Sequence, residues 1–319
     1  LGDVYKRQAF EVSSTFAAPG EEIQLTNESS LSSTSLEWTM KGANVEKSTE
    51  ENPVISYEKE GIYTISLKAS NKHGEDEAVK TNIITVSEEA GGELINLALN
   101  KPASASGYTA SSEAPGKAVD GITSTKWCTT NYGQQWLQID LEKVSTITEI
   151  IINHAEMGGE GSSLNTQAYH VEVSQDGQSW QEILRVEDNS SGLTQDAVPV
   201  TLGRYVKLWI DTPTQGGDSA ARIYEVEVKG LDKEITMPPV YVEEISTAVL
   251  EYAIELAEKA DTDGVMDAVK DNFDRALENA QDILARVQAG DAAVTQAEVD
   301  RAWQDLIKAI QYLEFKPGD

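Results

Sequence analysis

Three patterns of apolar and polar positions succeed one another along the chain. Over residues 9–88 the clearest is a strict alternation, in which Tyr63, Ile65, Leu67 and Ala69 are separated by Thr64, Ser66 and Lys68. That period of two is the mark of a strand with one buried face. Asn71-Lys-His-Gly74 supplies a turn after it, and Asn82 opens the next strand, which runs to Val86. Upstream, Pro19-Gly20 is a turn, residues 22–26 are strand-like, and Leu36-Glu-Trp-Thr-Met40 puts Trp38 where a sandwich core takes a large aromatic. Short strands at regular spacing predict an all-β sandwich over residues 9–88. The polar, glycine-containing stretch 87–93 reads as an interdomain segment.

Residues 95–230 are again β-rich on a different plan. Trp136-Leu-Gln-Ile-Asp-Leu141 alternates, Ile147-Thr-Glu-Ile-Ile-Ile-Asn153 is a nearly continuous apolar run suited to a central strand, and residues 169–174 end at the turn Asp176-Gly177. Residues 204–210 and 223–228 complete the set, and an eight-strand-class jelly roll is the architecture expected. From about residue 238 to 315 the period changes to three and four. Ile245, Val249, Tyr252 and Leu256 form one stripe; Met266, Val269, Phe273, Leu277, Ala280, Leu284 and Val287 a second; Val299, Trp303, Leu306, Ile310 and Leu313 a third. Each is expected to be the buried face of a helix in a three-helix bundle. Thr295-Gln-Ala-Glu298 has the capping-box spacing, and Gly290 marks a helix end. The fold class expected is therefore multidomain: two all-β sandwiches, then an all-α bundle.

Composition narrows the functions available. The 319 residues carry 25 Lys+Arg against 54 Asp+Glu, a formal charge of −29, with 39% hydrophobic and 25% charged residues. That balance belongs to a core-forming chain. The acidity is spread: 8 basic residues meet 17 acidic ones over residues 1–94, 9 meet 17 over 95–230, and 8 meet 20 over 231–319. Such a surface repels phosphate backbones and anionic lipid, so nucleic acid and membrane surfaces are not the expected partners, and it favours divalent cations. No apolar run approaches the ~20 residues that span a bilayer. The single cysteine, Cys128, excludes an intramolecular disulfide and a thiolate zinc cluster. Residues 1–8, LGDVYKRQ, differ in character from the strand-like residues after them and read as an assembly scar or linker. The chain as a whole reads as a fragment of something longer.

The first segment resembles a PKD-type domain, carried by the strand around Trp38, by residues 61–71 with their leading Gly61, and by the closing Ile84-Thr-Val86. That resemblance implies an immunoglobulin-like sandwich acting as a spacer. The second segment resembles an F5/8 type C (discoidin-like) domain, specifically a family 32 carbohydrate-binding module. The matching stretches, in the family's order, are Asn96-Leu-Ala-Leu-Asn-Lys-Pro102, Lys117-Ala-Val-Asp-Gly121 with Thr125-Lys-Trp127, and residues 136–141. After them come Ser174-Gln-Asp-Gly177 with Trp180, Arg204-Tyr-Val-Lys207, and residues 222–228. The third segment resembles the FIVAR modules of extracellular glycosidases of Gram-positive bacteria.

The resemblance to lectin-type discoidin-like domains implies a structural Ca²⁺. Its ligands would be the Lys117 carbonyl, the Asp120 carboxylate, the Ile122 carbonyl, the hydroxyl and carbonyl of Thr125, the Tyr224 carbonyl and the Glu225 carboxylate. Oxygen ligands of mixed carboxylate and carbonyl type suit that ion. Read without the resemblance, Asp120 caps a turn and Glu225 lies on a solvated face. The glycine-rich loop 153–165 comes directly after the central strand and carries His154, Glu156, Glu160 and Asn165, which are expected to contact sugar hydroxyls, with Tyr108, residues 128–132 and Asp218 lining the rest. The loop lacks the Arg of the galactose-binding pattern, and Arg222 is left out of the site as an ordinary ion-pair partner.

No G-x-S-x-G, H-E-x-x-H or phosphate-binding glycine loop occurs, and no carboxylate pair stands out as hydrolytic. The expected function is that of a non-catalytic accessory region of a secreted or cell-surface bacterial enzyme. It would bring a parent glycoside hydrolase, such as an endo-β-N-acetylglucosaminidase, to host N-glycan or mucin-type sugars. The alternative is a cell-surface adhesion or scaffold fragment that binds protein through the discoidin-like domain. An enzyme with an unrecognised site is a third reading.

Overall fold

The computed structural model describes residues 10–29, 35–72, 74–130, 133–242, 245–291 and 293–314. Residues 1–8, His73 in the expected turn, and Asn131 and Tyr132 in the expected sugar-site loop lie outside the described residues. The chain divides into two compact units, residues 1–241 and 242–319.

The first sandwich contains β1 (Phe10–Val12), β2 (Phe16–Ala17), β3 (Ile23–Asn27), β4 (Ser35–Thr39), β5 (Lys47–Ser48), β6 (Val54–Ile55), β7 (Gly61–Asn71) and β8 (Gly74–Val86). One sheet has the order β1-β3-β6 and the other β2-β8-β7-β4-β5. Tyr63, Ile65, Leu67 and Ala69 are all buried, as the alternation requires, and the first three belong to one core with Trp38, Ile23 and Leu25. Trp38 keeps its indole N–H satisfied on the Glu50 carbonyl at 2.9 Å. The strand expected from Asn82 is longer than its pattern: β8 begins at Gly74. Asn82 interrupts the pattern because it adopts φ 55° at a register shift opposite Tyr63 and Ile65, with its N–H donated to the Thr64 hydroxyl. That is a β-bulge, which reads in sequence as a strand start.

The second sandwich contains β9 (Ile95–Asn96), β10 (Ala103–Ala105), β11 (Trp127–Thr129), β12 (Gln135–Asn153), β13 (Ala168–Ser174), β14 (Gln181–Val186), β15 (Leu193–Thr212), β16 (Ala221–Ile223) and β17 (Glu225–Leu231). Its main sheet runs β14-β13-β15-β12-β17-β9, and β11 pairs with β16. β12 and β15 are long enough to serve both layers, bending where their register shifts between Asp140 and Ser145. Trp127, Leu137, Ile152, Tyr169, Leu208 and Val228 are among the residues that fill the space between layers. The register defines two ends. The His154 N–H donates to the Gly192 carbonyl, Asn165 bonds Glu156 and the Ser190 carbonyl, and the Gln167 N–H donates to the Thr212 carbonyl, so the loops after Asn153, before Ala168, before Leu193 and after Thr212 share one end. Ser174 pairs with Tyr205 and Ser145 with Gly203, so the 174–181 turn is at the other.

The two sandwiches are joined at that second end. Phe16 packs with Val200, Leu231 and Ile235 in a small apolar cluster of its own. The Thr15 hydroxyl donates to the Thr148 carbonyl at 3.3 Å. Glu89, in the segment expected to be a linker, accepts from the Thr236 N–H and the Lys233 ammonium. Residues 232–241 then turn back to the first sandwich. Ile62 donates to the Pro239 carbonyl, Tyr241 donates to the Ile62 carbonyl, and Val240 bridges Ile62 in parallel. Residues 238–241, expected to open the helical segment, belong instead to this return.

The second unit contains α1 (Ala248–Glu258), α2 (Asp267–Gln288) and α3 (Gln296–Tyr312) around one apolar core. The Thr295–Glu298 capping box is present, with reciprocal hydrogen bonds. Helix α1 corrects its expected stripe. Leu250, Ala253, Ile254 and Ala257 are the buried residues, whereas Val249, Tyr252 and Leu256 are 52, 60 and 38% exposed. The helix is apolar around more than half its circumference, so periodicity offers two stripes and only packing selects one.

Candidate functional site

The loop end of the second sandwich holds two polar clusters. The first is built on Glu160. Its Oε1 accepts from Lys126 Nζ at 2.6 Å and from the Tyr224 hydroxyl at 2.8 Å, and its Oε2 lies 3.1 Å from Arg222 Nε. Arg222 also donates to Asp218 Oδ2 at 2.9 Å, and Lys126 stands 3.7 Å from Glu113. Partial burial works to raise the Glu160 carboxyl, but hydrogen bonds from Lys126 and Tyr224 outweigh it and hold the group below its ordinary range. The site is therefore an ionised lattice with donors and acceptors in fixed places. Tyr108 precedes Thr109, whose N–H donates to the Cys128 carbonyl two residues after Lys126, and it is 56% exposed.

The loop 154–165 is tightly tied down. It makes a 3-10 turn at Ala155–Gly158 and a second at Ser162–Leu164. Gly158 presses against the Tyr224 ring, and a Cβ built there would stand 1.9 Å from ring carbons, so only glycine permits that approach. Asn165 Oδ1 accepts from the Glu156 N–H, and Asn165 Nδ2 donates to Glu156 Oε2 and the Ser190 carbonyl.

These contacts correct two expectations. His154 and Asn165 are fully buried, so neither forms the rim expected of it. His154 packs beside Tyr169 with Nε2 3.3 Å from the Thr194 hydroxyl, and burial pushes its pKa down to about 4. It is a neutral interior histidine. Asn165 braces the loop from within. Of the other expected sugar contacts, Glu156 and Tyr108 are exposed, and Glu160 and Asp218 belong to the lattice. Lys126 and Arg222 are lattice residues that the sequence reading leaves out. A signal for Arg222 exists in the sequence, because it points outward between buried Ala221 and Ile223 on β16.

The second cluster surrounds Asp120 and Glu225. Asp120 Oδ1 accepts from the Thr125 hydroxyl at 2.8 Å and the Ile122 N–H at 3.1 Å, while Oδ2 accepts from Lys117 Nζ at 3.1 Å. The same Thr125 hydroxyl lies 3.3 Å from the Lys117 carbonyl and 2.9 Å from the Ile122 carbonyl, so four oxygens are gathered in one turn. Partial burial acts to raise the Asp120 carboxyl, and hydrogen bonds from Thr125, Lys117 and Ile122 together hold it below the usual range. Glu225 joins from the start of β17, next to Tyr224, with Oε1 accepting from the Gly121 N–H at 3.2 Å. It is 4% exposed, and its Oε2 is buried without a hydrogen-bond partner. Burial, with the Asp120 charge adding to it, pushes the Glu225 carboxyl up to about 7. Among the described residues no three His, Cys, Asp or Glu side chains converge as a metal-ligand group. The cradle offers two carboxylates, and its remaining oxygens are a hydroxyl and backbone carbonyls.

Fold and site together define a pair of linked β-sandwich domains, the second displaying charged groups at its loop end, followed by a helical module. Residues 9–84 match the PKD domain family and residues 102–226 the F5/8 type C domain family, and the chain carries one domain of each. It is 30% identical over 131 residues to the polysaccharide lyase 8 family protein HylA of Enterococcus faecalis (strain ATCC 700802 / V583). That match covers 38% of this chain and 9% of the relative's length.

Several solved structures of carbohydrate-binding modules are similar to part of this chain. Chitosan-binding module 1 of a chitosanase/glucanase from Paenibacillus sp. IK-5 is 23% identical, covering 43% of this chain and 99% of that one at a TM-score of 0.38. The family 32 carbohydrate-binding module of Streptococcus pneumoniae EndoD is 20% identical, covering 41% and 97% at 0.37. A Clostridium perfringens module, CpGH89CBM32-5, solved with GalNAc-β-1,3-galactose, is 21% identical, covering 43% and 99% at 0.37. Among the described residues no helix is long and apolar enough to cross a membrane.

Proposed function

We propose that the F5/8 type C domain binds glycan without chemically altering it, and that the chain is an accessory region of a secreted or cell-surface bacterial enzyme that degrades carbohydrate. The observation that carries this is the Lys126–Glu160–Arg222–Asp218 lattice, and the exposed Tyr108 is proposed as the aromatic beside it. Sugar hydroxyls are recognised by fixed donors and acceptors beside an aromatic face, and this rim supplies both. The parent enzyme is a glycoside hydrolase or a polysaccharide lyase, with endo-β-N-acetylglucosaminidases among the hydrolases that suit a module of this kind. Host N-glycan or mucin-type sugars are the proposed ligands, and the helical unit is proposed as a FIVAR-like spacer. Contacts on so small a rim bind in about the mM to μM range, and avidity from neighbouring modules raises that.

The test is a glycan array probed with the whole chain and with Arg222→Ala. Saccharide signal lost in the variant supports the reading. Capture of a polypeptide insensitive to competing sugar supports adhesion instead, and turnover of a glycan by this chain alone sinks the non-catalytic claim.

We further propose that a structural Ca²⁺ is held by Asp120, Glu225, the Thr125 hydroxyl and carbonyl, and the carbonyls of Lys117, Ile122 and Tyr224. Support comes from the partnerless buried Oε2 of Glu225, which is costly for a carboxylate unless a cation neutralises it. The ion would supply positive charge that ties the 117–125 turn to β17. Terbium luminescence should report binding to the chain, and Asp120→Asn should abolish it. Equal signal from the variant would refute the assignment.

A further inference from the structure

A second concave site lies at the end of the jelly roll opposite the loop lattice. The 174–181 turn and the middle of β15 enclose a cleft of about 490 Å³, within the range of small-molecule sites. Trp180, Gln175, Gln181, Asp176, Ser179 and Leu202 are among its lining residues. Asp176 is committed to the turn. Its Oδ1 accepts from the Ser174 hydroxyl and from the N–H groups of Gln178 and Ser179, and the backbone bonds, that from Ser179 foremost, hold its carboxyl down to about 2. The turn is thus tied together by its own carboxylate, which is ionised at neutral pH.

The hydroxyls of Ser174 and Ser179 are taken up by the same turn, and three other polar groups of the lining are uncommitted. Among the described residues the indole N–H of Trp180 and the side-chain amides of Gln175 and Gln181 have no hydrogen-bond partner. Lys207 holds its ammonium 4.0 Å from the centroid of the Trp180 ring, and also faces Trp136 and Trp209 at 5.4 and 5.3 Å. The indole is therefore fixed from the sheet side by a cation–π contact while it forms part of the cleft wall. One immobilised aromatic plane, two free amides and a free N–H make the combination that pyranose rings require. C–H groups pack on the plane, and the equatorial hydroxyls find donors and acceptors around it. The fixed Asp176 carboxylate, in a chain of net charge −29, disfavours an anionic sugar.

We propose that this cleft is a second saccharide site, taking a neutral hexopyranose residue of an oligosaccharide against Trp180 with Gln175 and Gln181 as hydrogen-bonding partners. It is independent of the loop lattice, so one module would hold a glycan at both ends.

The test tracks the indole N–H resonances of the ¹⁵N-labelled whole chain during titration with lactose, chitotriose and GalNAc-β-1,3-galactose. For at least one sugar the Trp180 resonance should shift and should shift equally in Arg222→Ala, which disables the loop lattice. The double variant Gln175→Ala, Gln181→Ala, whose side chains are exposed, should weaken that response at least tenfold with an unchanged melting temperature. Trp180→Phe, which keeps a ring for Lys207, should weaken the calorimetric affinity of the same site. No Trp180 shift with any of the three sugars overturns the proposal. A shift lost in Arg222→Ala, or one indifferent to the glutamine pair, overturns it equally. A Trp180 response with no response near Tyr108 would instead overturn the loop-end reading and leave this one standing.

Discussion

Tyr241, ten residues past the end of β17, stacks on Tyr63 of the first sandwich with ring centroids 5.0 Å apart. Tyr63 in turn stacks on Tyr57 at 3.9 Å. The last residues to leave the jelly roll are thus built into the aromatic core of the domain before it. Together with Phe16 in the opposite direction, this makes the PKD domain a docked partner of the jelly roll, where the resemblance implied a spacer.

Calorimetry of the whole chain should therefore show the two sandwiches melting in one transition. Phe16→Ala, by opening the shared cluster, should destabilise that transition by about 3 kcal/mol and separate it into two. Two independent transitions in the unaltered chain would refute the coupling.

The buried acid and the buried histidine work against each other in pH. Glu225, raised to about 7, keeps its proton in the folded state while the unfolded chain has lost it. Its contribution to stability therefore falls as pH rises from about 4.5 to 7. His154, lowered to about 4, stays neutral when folded while the unfolded chain takes up a proton, so its contribution rises between about pH 4 and 6.5. Each amounts to something on the order of 3 kcal/mol. Relative to the unaltered metal-free chain, Glu225→Gln should gain stability as pH rises through this window, and His154→Gln should lose it. Denaturant titrations at pH 4.5 and 7 would check both signs.

If the cradle holds Ca²⁺, the Glu225 penalty vanishes on binding, because the cation selects the ionised form. Adding calcium at pH 7 should raise the melting temperature of the unaltered chain and leave Glu225→Gln nearly unmoved. A rise of the same size in both would place the ion elsewhere.

On the glycan side, Tyr108→Ala should weaken binding by roughly tenfold, the loss of about 1.4 kcal/mol, with no change in melting because the ring is exposed. His154→Ala should do the reverse and destabilise the fold, with sugar affinity of the surviving folded fraction intact. Calorimetric titration of both variants separates a rim residue from an interior one.

In the helical unit, Leu250→Ala should cost about 2–5 kcal/mol, while Tyr252→Ser should change stability by less than about 0.5 kcal/mol. Thermal melts monitored at 222 nm would read both. Equal losses would mean that the stripe expected from periodicity is also packed.

Legibility tracks burial. Alternation at Tyr63–Ala69 is readable because a strand buried on one face must alternate, whereas the pairing of Asp120 with Glu225 comes from a family resemblance rather than from spacing. The placement of His154 is not readable for a physical reason: a polar residue in a glycine-rich loop carries no local mark of whether its ring turns in or out. Arg222 escapes notice because an arginine among acids reads as an ordinary pair, and only the fold reveals that its partners, Glu160 and Asp218, face the same rim. In α1 both stripes satisfy the period, and the contacts of α2 and α3 decide between them.

The return of residues 232–241 to β7 has a mechanical consequence. The chain enters this unit through β1 and leaves it at Tyr241, and both points are fastened to the first sandwich. Tension applied along the polypeptide is borne there first, across the hydrogen bonds of Ile62 with Pro239 and Tyr241. The jelly roll lies between these two fastened points, so tension along the polypeptide passes through the first sandwich and bypasses the second.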